Sequence, residues 1–257
     1  MVADLIDKNC IIINDDCYKI LDNTIKTYKN SIIIREHHLI DLILIDPPYD
    51  IPLLHKNKTY KNEFSFKKNK LIDNIKSFSN GFDFKIFDYF KELQPAINII
   101  IFCNKTLLIN LIRYFKDEQY LYEILIWNKT NPTPMYDGTF LPDIEYILYV
   151  RDKKVKLHGG YNERIKVFSL PANIKDKKLY KHPTIKPIEI LNNLIKFSTK
   201  ENDLVLDCFM GSGSTGVACK RNKRKFIGIE KDSKWYDIAK KRLTDEFRQQ
   251  SIFDYAE

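Results

Sequence analysis

Five short runs dominated by branched, apolar side chains constrain this chain more than any other feature, at residues 10–14, 41–46, 97–102, 203–207 and 225–229. Each is too short to make a useful helix, and none shows the apolar–polar alternation of a strand with one wet face. Continuous short apolar runs of this kind belong to strands buried on both faces. Between them lie stretches with helical apolar spacing, at residues 18–27, 83–93, 105–115, 187–197, 214–220 and 233–247. Strands that alternate with amphipathic helices build a doubly wound α/β sheet, because each crossover helix covers one face of the strands it connects. Residues 120–127 and 144–150 read as two more strands, separated by a proline-bearing stretch that forbids regular structure.

No internal repeat and no Pro-, Gly- or Ser-rich linker divides the 257 residues, so a single domain is expected over 1–257. Residues 51–80 have no clear period and are rich in Lys, Asn and Ser, which marks them as a mobile, substrate-facing insert. The five Cys include no CxxC pair, which fits a reducing compartment and gives no zinc pattern; His37 and His38 lack acids or thiols at ligand spacing, so no metal is expected. The first seven residues contain two acids, unlike a signal peptide, and no apolar run approaches the roughly 18 residues of a membrane span. A cytoplasmic protein with no membrane partner is the expectation.

The formal charge of +8 conceals an asymmetry. Residues 1–50 hold five basic and nine acidic side chains, whereas residues 151–225 hold 18 basic and seven acidic. A regional excess of this size suits a polyanionic partner. Part of it is compositional, since 36 Ile accompany abundant Lys and Asn, as in an AT-rich coding bias.

Two motifs carry chemistry. Asp207-Cys208-Phe209-Met-Gly211-Ser212-Gly213-Ser-Thr-Gly216 begins where a strand ends and a helix starts, and Glu230 closes the next strand 23 residues after Asp207. Glycines there permit a tight turn and close approach of a ligand, while an acid at the next strand end accepts hydrogen bonds from ribose hydroxyls. The pattern is neither GxGxxG nor a phosphate-binding P-loop, so the ligand implied carries an adenosine-like ribose and lacks a pyrophosphate. The second motif, Asp46-Pro47-Pro48-Tyr49, ends a strongly apolar strand. Its prolines withhold their N–H groups and leave carbonyl acceptors beside a carboxylate, an edge suited to an amino group. Tyr49 offers a flat face for a planar base.

These motifs, in this order, resemble the amino-methyltransferases that modify exocyclic amines of DNA bases with S-adenosylmethionine. Having the Asp-Pro-Pro-Tyr motif first and the glycine-rich motif last is similar to the beta-class, circularly permuted arrangement. His182-Pro-Thr184-Ile-Lys186-Pro187 and Trp127-Asn-Lys129-Thr-Asn131-Pro132 extend the likeness over nearly the whole chain. One departure is Cys208, where the family usually has Pro; a buried, inert thiol is expected. The resemblance implies a Rossmann-like, mostly parallel doubly wound sheet with an antiparallel edge strand. It also implies that Asp46, Pro47, Pro48 and Tyr49 bind and stack the flipped base. The cofactor residues it implies are Asp16, Cys17, Asp46, His182, Thr184, Lys186, Pro187, Asp207, Phe209, Gly211, Ser212, Gly213 and Glu230. S-adenosylmethionine is the implied cofactor and DNA the implied partner, with the protein on the nucleoid when bound. A homodimer and a cognate restriction endonuclease are further partners that the likeness admits.

Asp rather than Ser at position 46 is more similar to adenine-N6 than to cytosine-N4 enzymes. A small target-recognition region is expected over 151–181, with Lys129, Asn131, Arg151, Lys153, Lys154, Lys156, Arg164, Lys175, Lys177 and Lys178 as DNA contacts, most of them to phosphates. Cytosine-N4 methylation, RNA methylation and a non-catalytic nucleic-acid-binding module stay open as alternatives. A nicotinamide-dependent oxidoreductase is disfavoured by the missing GxGxxG.

Overall fold

The computed structural model describes residues 1–30, 40–48, 83–94, 96–116, 118–132, 140–161, 163–180 and 184–254. The 51–80 insert expected from the sequence lies outside them. The described residues form one sheet from β1 (Val2–Asp7), β2 (Cys10–Asn14), β3 (Leu42–Ile45), β4 (Asn98–Cys103), β5 (Leu121–Lys129), β6 (Ile144–Arg151), β7 (Val167–Leu170), β8 (Leu204–Asp207) and β9 (Lys225–Glu230). Their spatial order is β1-β2-β9-β8-β3-β4-β6-β5-β7. Seven helices accompany them: α1 (Cys17–Asn30), α2 (Ile86–Leu93), α3 (Lys105–Phe115), α4 (Ile174–Tyr180), α5 (Ile188–Ser198), α6 (Ser214–Arg221) and α7 (Ser233–Asp254).

The apolar runs are continuous because both faces of the central strands are covered. In β3, Leu42 and Leu44 pack with α5, α6 and α7, while Ile43 and Ile45 pack with α1, α2 and α3. Every residue of β4 is buried for the same reason. The parallel set β2-β9-β8-β3-β4 therefore forms the sandwiched centre of a doubly wound sheet.

Two strands run against this set. β1 is the antiparallel edge strand, paired to β2. It is not visible as an apolar run because Val2 and Leu5 face solvent and Asp4 and Asp7 interrupt it. The second, β6, lies inside the sheet between β4 and β5 and is antiparallel to both. Its direction has a functional consequence: it starts at the carboxyl edge of the parallel strands, with Tyr146 opposite Cys103, and ends at their amino edge, with Arg151 opposite Asn98. Residues 151–181, irregular in the sequence reading, contain β7 and α4. β7 is only four residues long with two of them exposed, so it carries little periodic signal.

Asn98, buried at the start of β4, ties several elements together. Its side-chain N–H groups donate to the carbonyls of Asp41 at 2.8 Å and Ser198 at 3.0 Å, and its oxygen accepts from the Tyr149 hydroxyl at 3.0 Å. Asp41 in turn accepts the Leu204 N–H at 2.8 Å, which fixes the entry of β3 against β8. Removing the Asn98 amide strands buried acceptors and a buried hydroxyl at once. Asn98→Ala is therefore expected to destabilise the fold by about 2–4 kcal/mol, measured as a lower midpoint in urea titration with an unchanged slope.

Candidate active site

The neighbouring strands β9, β8 and β3 point the same way, so Glu230, Asp207 and Asp46 emerge side by side at one sheet edge. Ligands of open α/β sheets bind at that edge, beyond the carboxyl ends of the strands. A cleft of about 360 Å³, its mouth included, lies there between the two motifs, and its walls include Asp46, Lys186, Asp207, Phe209, Gly211 and Ser212.

The glycine-rich turn is closed by its own first residue. Asp207 accepts the Phe209 N–H at 3.0 Å and the Thr215 hydroxyl at 2.6 Å, so both its oxygens are engaged. Burial pushes the Asp207 pKa up to about 7, against the pull of those two donors. Gly213 caps α6 with φ +79°, a conformation that L side chains rarely adopt, and a β-carbon there would sit 3.3 Å from that of Ala239. Glu230 braces the turn from β9, accepting the Gly211 N–H and the Asp232 N–H at 2.8 Å each. Burial raises its pKa despite these backbone donors.

On the other wall an alternating chain of charges is buried. The Lys186 ammonium lies 2.5 Å from Asp46 Oδ2 and 2.9 Å from Glu145 Oε1. Lys129 reaches the other Glu145 oxygen at 3.0 Å. Glu145 Oε1 holds Lys186 as an ion pair. Asp46 Oδ1 is buried and has no hydrogen-bond partner among the described residues. Burial pushes the Asp46 pKa up to about 6; Lys186 opposes that rise and Glu145 adds to it. At Glu145, burial is outweighed by the two lysines, and its pKa falls below the usual carboxylate range.

Glu145 was missed by sequence reasoning, although a lone acid inside the apolar run of β6 was a usable signal. Thr215 was missed because hydroxyls are common in glycine-rich turns. Among the residues expected to hold the cofactor, Asp46, Thr184, Lys186, Asp207, Phe209, Gly211 and Ser212 share the cleft. Gly213 and Pro187 stand behind it, each beginning a helix. Asp16 caps α1 through the Tyr18 N–H at 3.0 Å and pairs with Lys231 at 2.8 Å. Burial works against its ionisation, but Lys231 prevails and keeps the pKa low. Cys17 and Cys208 are buried thiols, with the Cys17 pKa pushed up to about 12 by burial and that of Cys208 raised well above its ordinary value. Tyr49 and His182 lie outside the described residues.

The expected DNA contacts separate into groups. Arg151 ends β6 and Lys153, Lys154 and Lys156 follow it at the amino edge, away from Asp46, because β6 is antiparallel. Arg151 and Arg164 spend donors on nearby backbone carbonyls, those of Val155, Leu157 and His158. Asn131 clamps Ala172 through both its amide oxygen and nitrogen. Lys129 is turned inward to Glu145 and stacks on Trp127 at 4.9 Å. Among these expected contacts, α4, reached through β7, brings exposed basic residues back to the site side: Lys175 and Lys178 are exposed, and Lys177 is half-buried near Lys129 and Lys186.

The profile of the N6_N4_Mtase family, described as DNA methylase, matches residues 40–241. The chain belongs to this family of DNA methylases. It is similar to the Type II methyltransferase M2.LlaDCHI of Lactococcus lactis subsp. cremoris, with 33% identity over 92% of this chain and 90% of that protein. Type II methyltransferase M.HinfI of Haemophilus influenzae is 34% identical over 80% of this chain and 63% of its own length. Among solved structures, the M1.HpyAVI–SAM complex superposes with a TM-score of 0.66 at 25% identity, covering 90% of this chain and 98% of that one. The cytosine-N4-specific PvuII DNA methyltransferase shares the fold at 17% identity, TM-score 0.54, over 94% of this chain and 92% of its own. The family uses S-adenosylmethionine, and the glycine turn, the half-buried Glu230 and the cleft between the motifs fit that group.

The raised pKa of Asp207 has a sign that can be checked. A carboxyl easier to protonate when folded stabilises the protein at low pH, and that contribution is lost as pH rises from about 4 through about 7. Asp207→Asn is thus expected to raise the melting temperature at about pH 8 relative to the parent, and the gain should shrink towards about pH 4.5.

Proposed function

We propose that this DNA methyltransferase acts on the exocyclic N6 amine of adenine in a short DNA sequence. The observation that supports this reading most directly is the Asp46 carboxylate: one oxygen is held by Lys186, and the other is buried without a hydrogen-bond partner among the described residues. An amino group presents two hydrogens, and the Asp46 oxygen together with the Pro47 carbonyl supplies two acceptors. That pairing draws the amine nitrogen out of conjugation with the ring and steadies positive charge as it develops. S-adenosylmethionine supplies an electrophilic methyl group on its sulfonium. Gly211, Gly213, Phe209 and Glu230 are proposed to hold the cofactor in line with the amine, so alignment contributes much of the acceleration. A base inside a duplex is out of reach of this buried carboxylate, so the target is flipped out, with Tyr49 proposed to stack on it. The carboxylate at position 46, in place of a Ser hydroxyl, favours adenine over cytosine.

DNA is proposed to lie along the sheet edge that carries Asp46, with Lys175 and Lys178 of α4 on its phosphates. The Type II designation of the relatives supports a role in restriction–modification alongside a cognate endonuclease. The small recognition region favours action as a homodimer.

Asp46→Ala is expected to lower labelled methyl transfer at least about a hundredfold, while S-adenosylmethionine affinity by calorimetry stays within about threefold, since the residue's main partner is the amine rather than the cofactor. Retention of transfer to adenine would sink the reading, and transfer to cytosine in the parent would reassign the base. Lys175→Ala with Lys178→Ala is expected to weaken DNA binding and to reduce its salt slope by about 1–2. The triple change of Lys153, Lys154 and Lys156 to Ala should leave both nearly intact; the opposite ranking would place DNA at the amino edge.

A further inference from the structure

We infer that Glu145 is a positioning residue for methyl transfer, sharing the Lys186 ammonium with Asp46 so that one Asp46 oxygen stays available to the target amine. The inference rests on the reading that Asp46 accepts that amine. Glu145 is 8% exposed and stands in a strand whose other buried residues are Ile147, Leu148, Tyr149 and Val150, so burial of its charge demands compensation. It reaches the site because β6 begins at the carboxyl edge, where Glu145 pairs with Trp127 of β5. Its two oxygens face one lysine each, at 2.9 Å and 3.0 Å.

Lys186 is buried between the two carboxylates, and the ring of Phe102 lies 5.1 Å from its nitrogen. An ammonium held by Asp46 alone would neutralise that carboxylate and blunt it as an acceptor. With Glu145 present the positive charge is divided, and Asp46 keeps acceptor strength for a weakly acidic N–H. Lys129 then prevents Glu145 from capturing Lys186 outright. Among the described residues, the charged or titratable groups facing Asp46 are Lys186 before α5, Glu145 of β6, Lys129 of β5, Asp207 of β8 and Cys103 of β4, with Lys177 of α4 beside Lys129 and Lys186.

The signs of the two nearest neighbours make the inference testable. Glu145 disfavours ionisation of Asp46, and Lys129 favours it. If ionised Asp46 is required, Glu145→Gln should move the acidic limb of the kcat–pH profile down by about one pH unit, and Lys129→Met should move it up. Glu145→Gln should also lower kcat about tenfold or more, with KM for S-adenosylmethionine within about twofold, and Glu145→Asp should recover part of the loss. A residue that merely supports packing would lower activity without moving the limb, and an unmoved limb in both Glu145→Gln and Lys129→Met overturns the inference. If Glu145→Gln fails to fold by circular dichroism, the upward shift in Lys129→Met decides alone. Asp46→Ala is assayed alongside. Transfer surviving in that variant means the Asp46 reading has failed, whereas its loss together with unmoved limbs means only the Glu145 inference has.

Discussion

An ammonium in a protein interior is tolerable only when opposite charge surrounds it, and the site is organised around that requirement at Lys186. This lysine is 6% exposed and lies within 3 Å of carboxylates from two elements that are remote in sequence, the end of β3 and the start of β6. Among the described residues it is the one ion-pair partner of Asp46, while Glu145 has Lys129 besides. The arrangement requires β6 to run antiparallel inside the sheet, because only that direction brings residue 145 to the edge where residue 46 emerges. A structural irregularity and the chemistry of the cleft therefore have one cause. The network fixes where Asp46 points, but it also leaves a buried oxygen with nothing to bind among the described residues, a cost in stability that makes sense only where a ligand group arrives.

The opposite wall follows a different logic. The turn after β8 is held by neutral and backbone donors, with Asp207 taking a hydroxyl and an amide and Glu230 taking two amides. Arg242 of α7 completes it from behind: buried at 5% exposure, it reaches Ser214 Oγ at 2.9 Å and Asp176 of α4 at 3.0 Å, and stacks on Tyr180 at 4.3 Å. The guanidinium thus joins the turn to the helix that carries Lys175 and Lys178. Its planar fork suits contacts in several directions, which a lysine would not supply.

Much of this was legible before any coordinates. Residues 41–46 and 203–207 announce strands buried on both faces, and the two motifs that follow them name the edge where they meet. The place of Glu230 at that edge was legible too, because it depends only on where the neighbouring strand ends. What failed to show depends on strand direction and pairing, which periodicity does not encode. Lys129 and Asn131 read as surface groups for DNA, yet one is committed to Glu145 and the other to the backbone of Ala172. Arg151 to Lys156 read as one basic patch with Lys175 to Lys178, yet a sheet's width separates them, since β6 carries the chain away from the site and β7 carries it back. A charge run has no direction until the topology supplies one.

The same reasoning changes what the net charge means. The excess between residues 151 and 225 is not one footprint but at least three environments: an exposed turn at the amino edge, a short helix beside the cleft, and the α6–β9 connection, where Arg221 pairs with Glu246 at 2.6 Å. Of these three, the helix is the one beside Lys186 and Asp46. There Lys177 adds a third lysine to Lys129 and Lys186, against the two carboxylates of Asp46 and Glu145, and no carboxylate among the described residues pairs with it. Burial and its two cationic neighbours push its pKa down, so the ammonium gains if an anion comes near. The charge that bears on Asp46 is therefore local, three lysines set around its own carboxylate and that of Glu145, and not the sum over the chain.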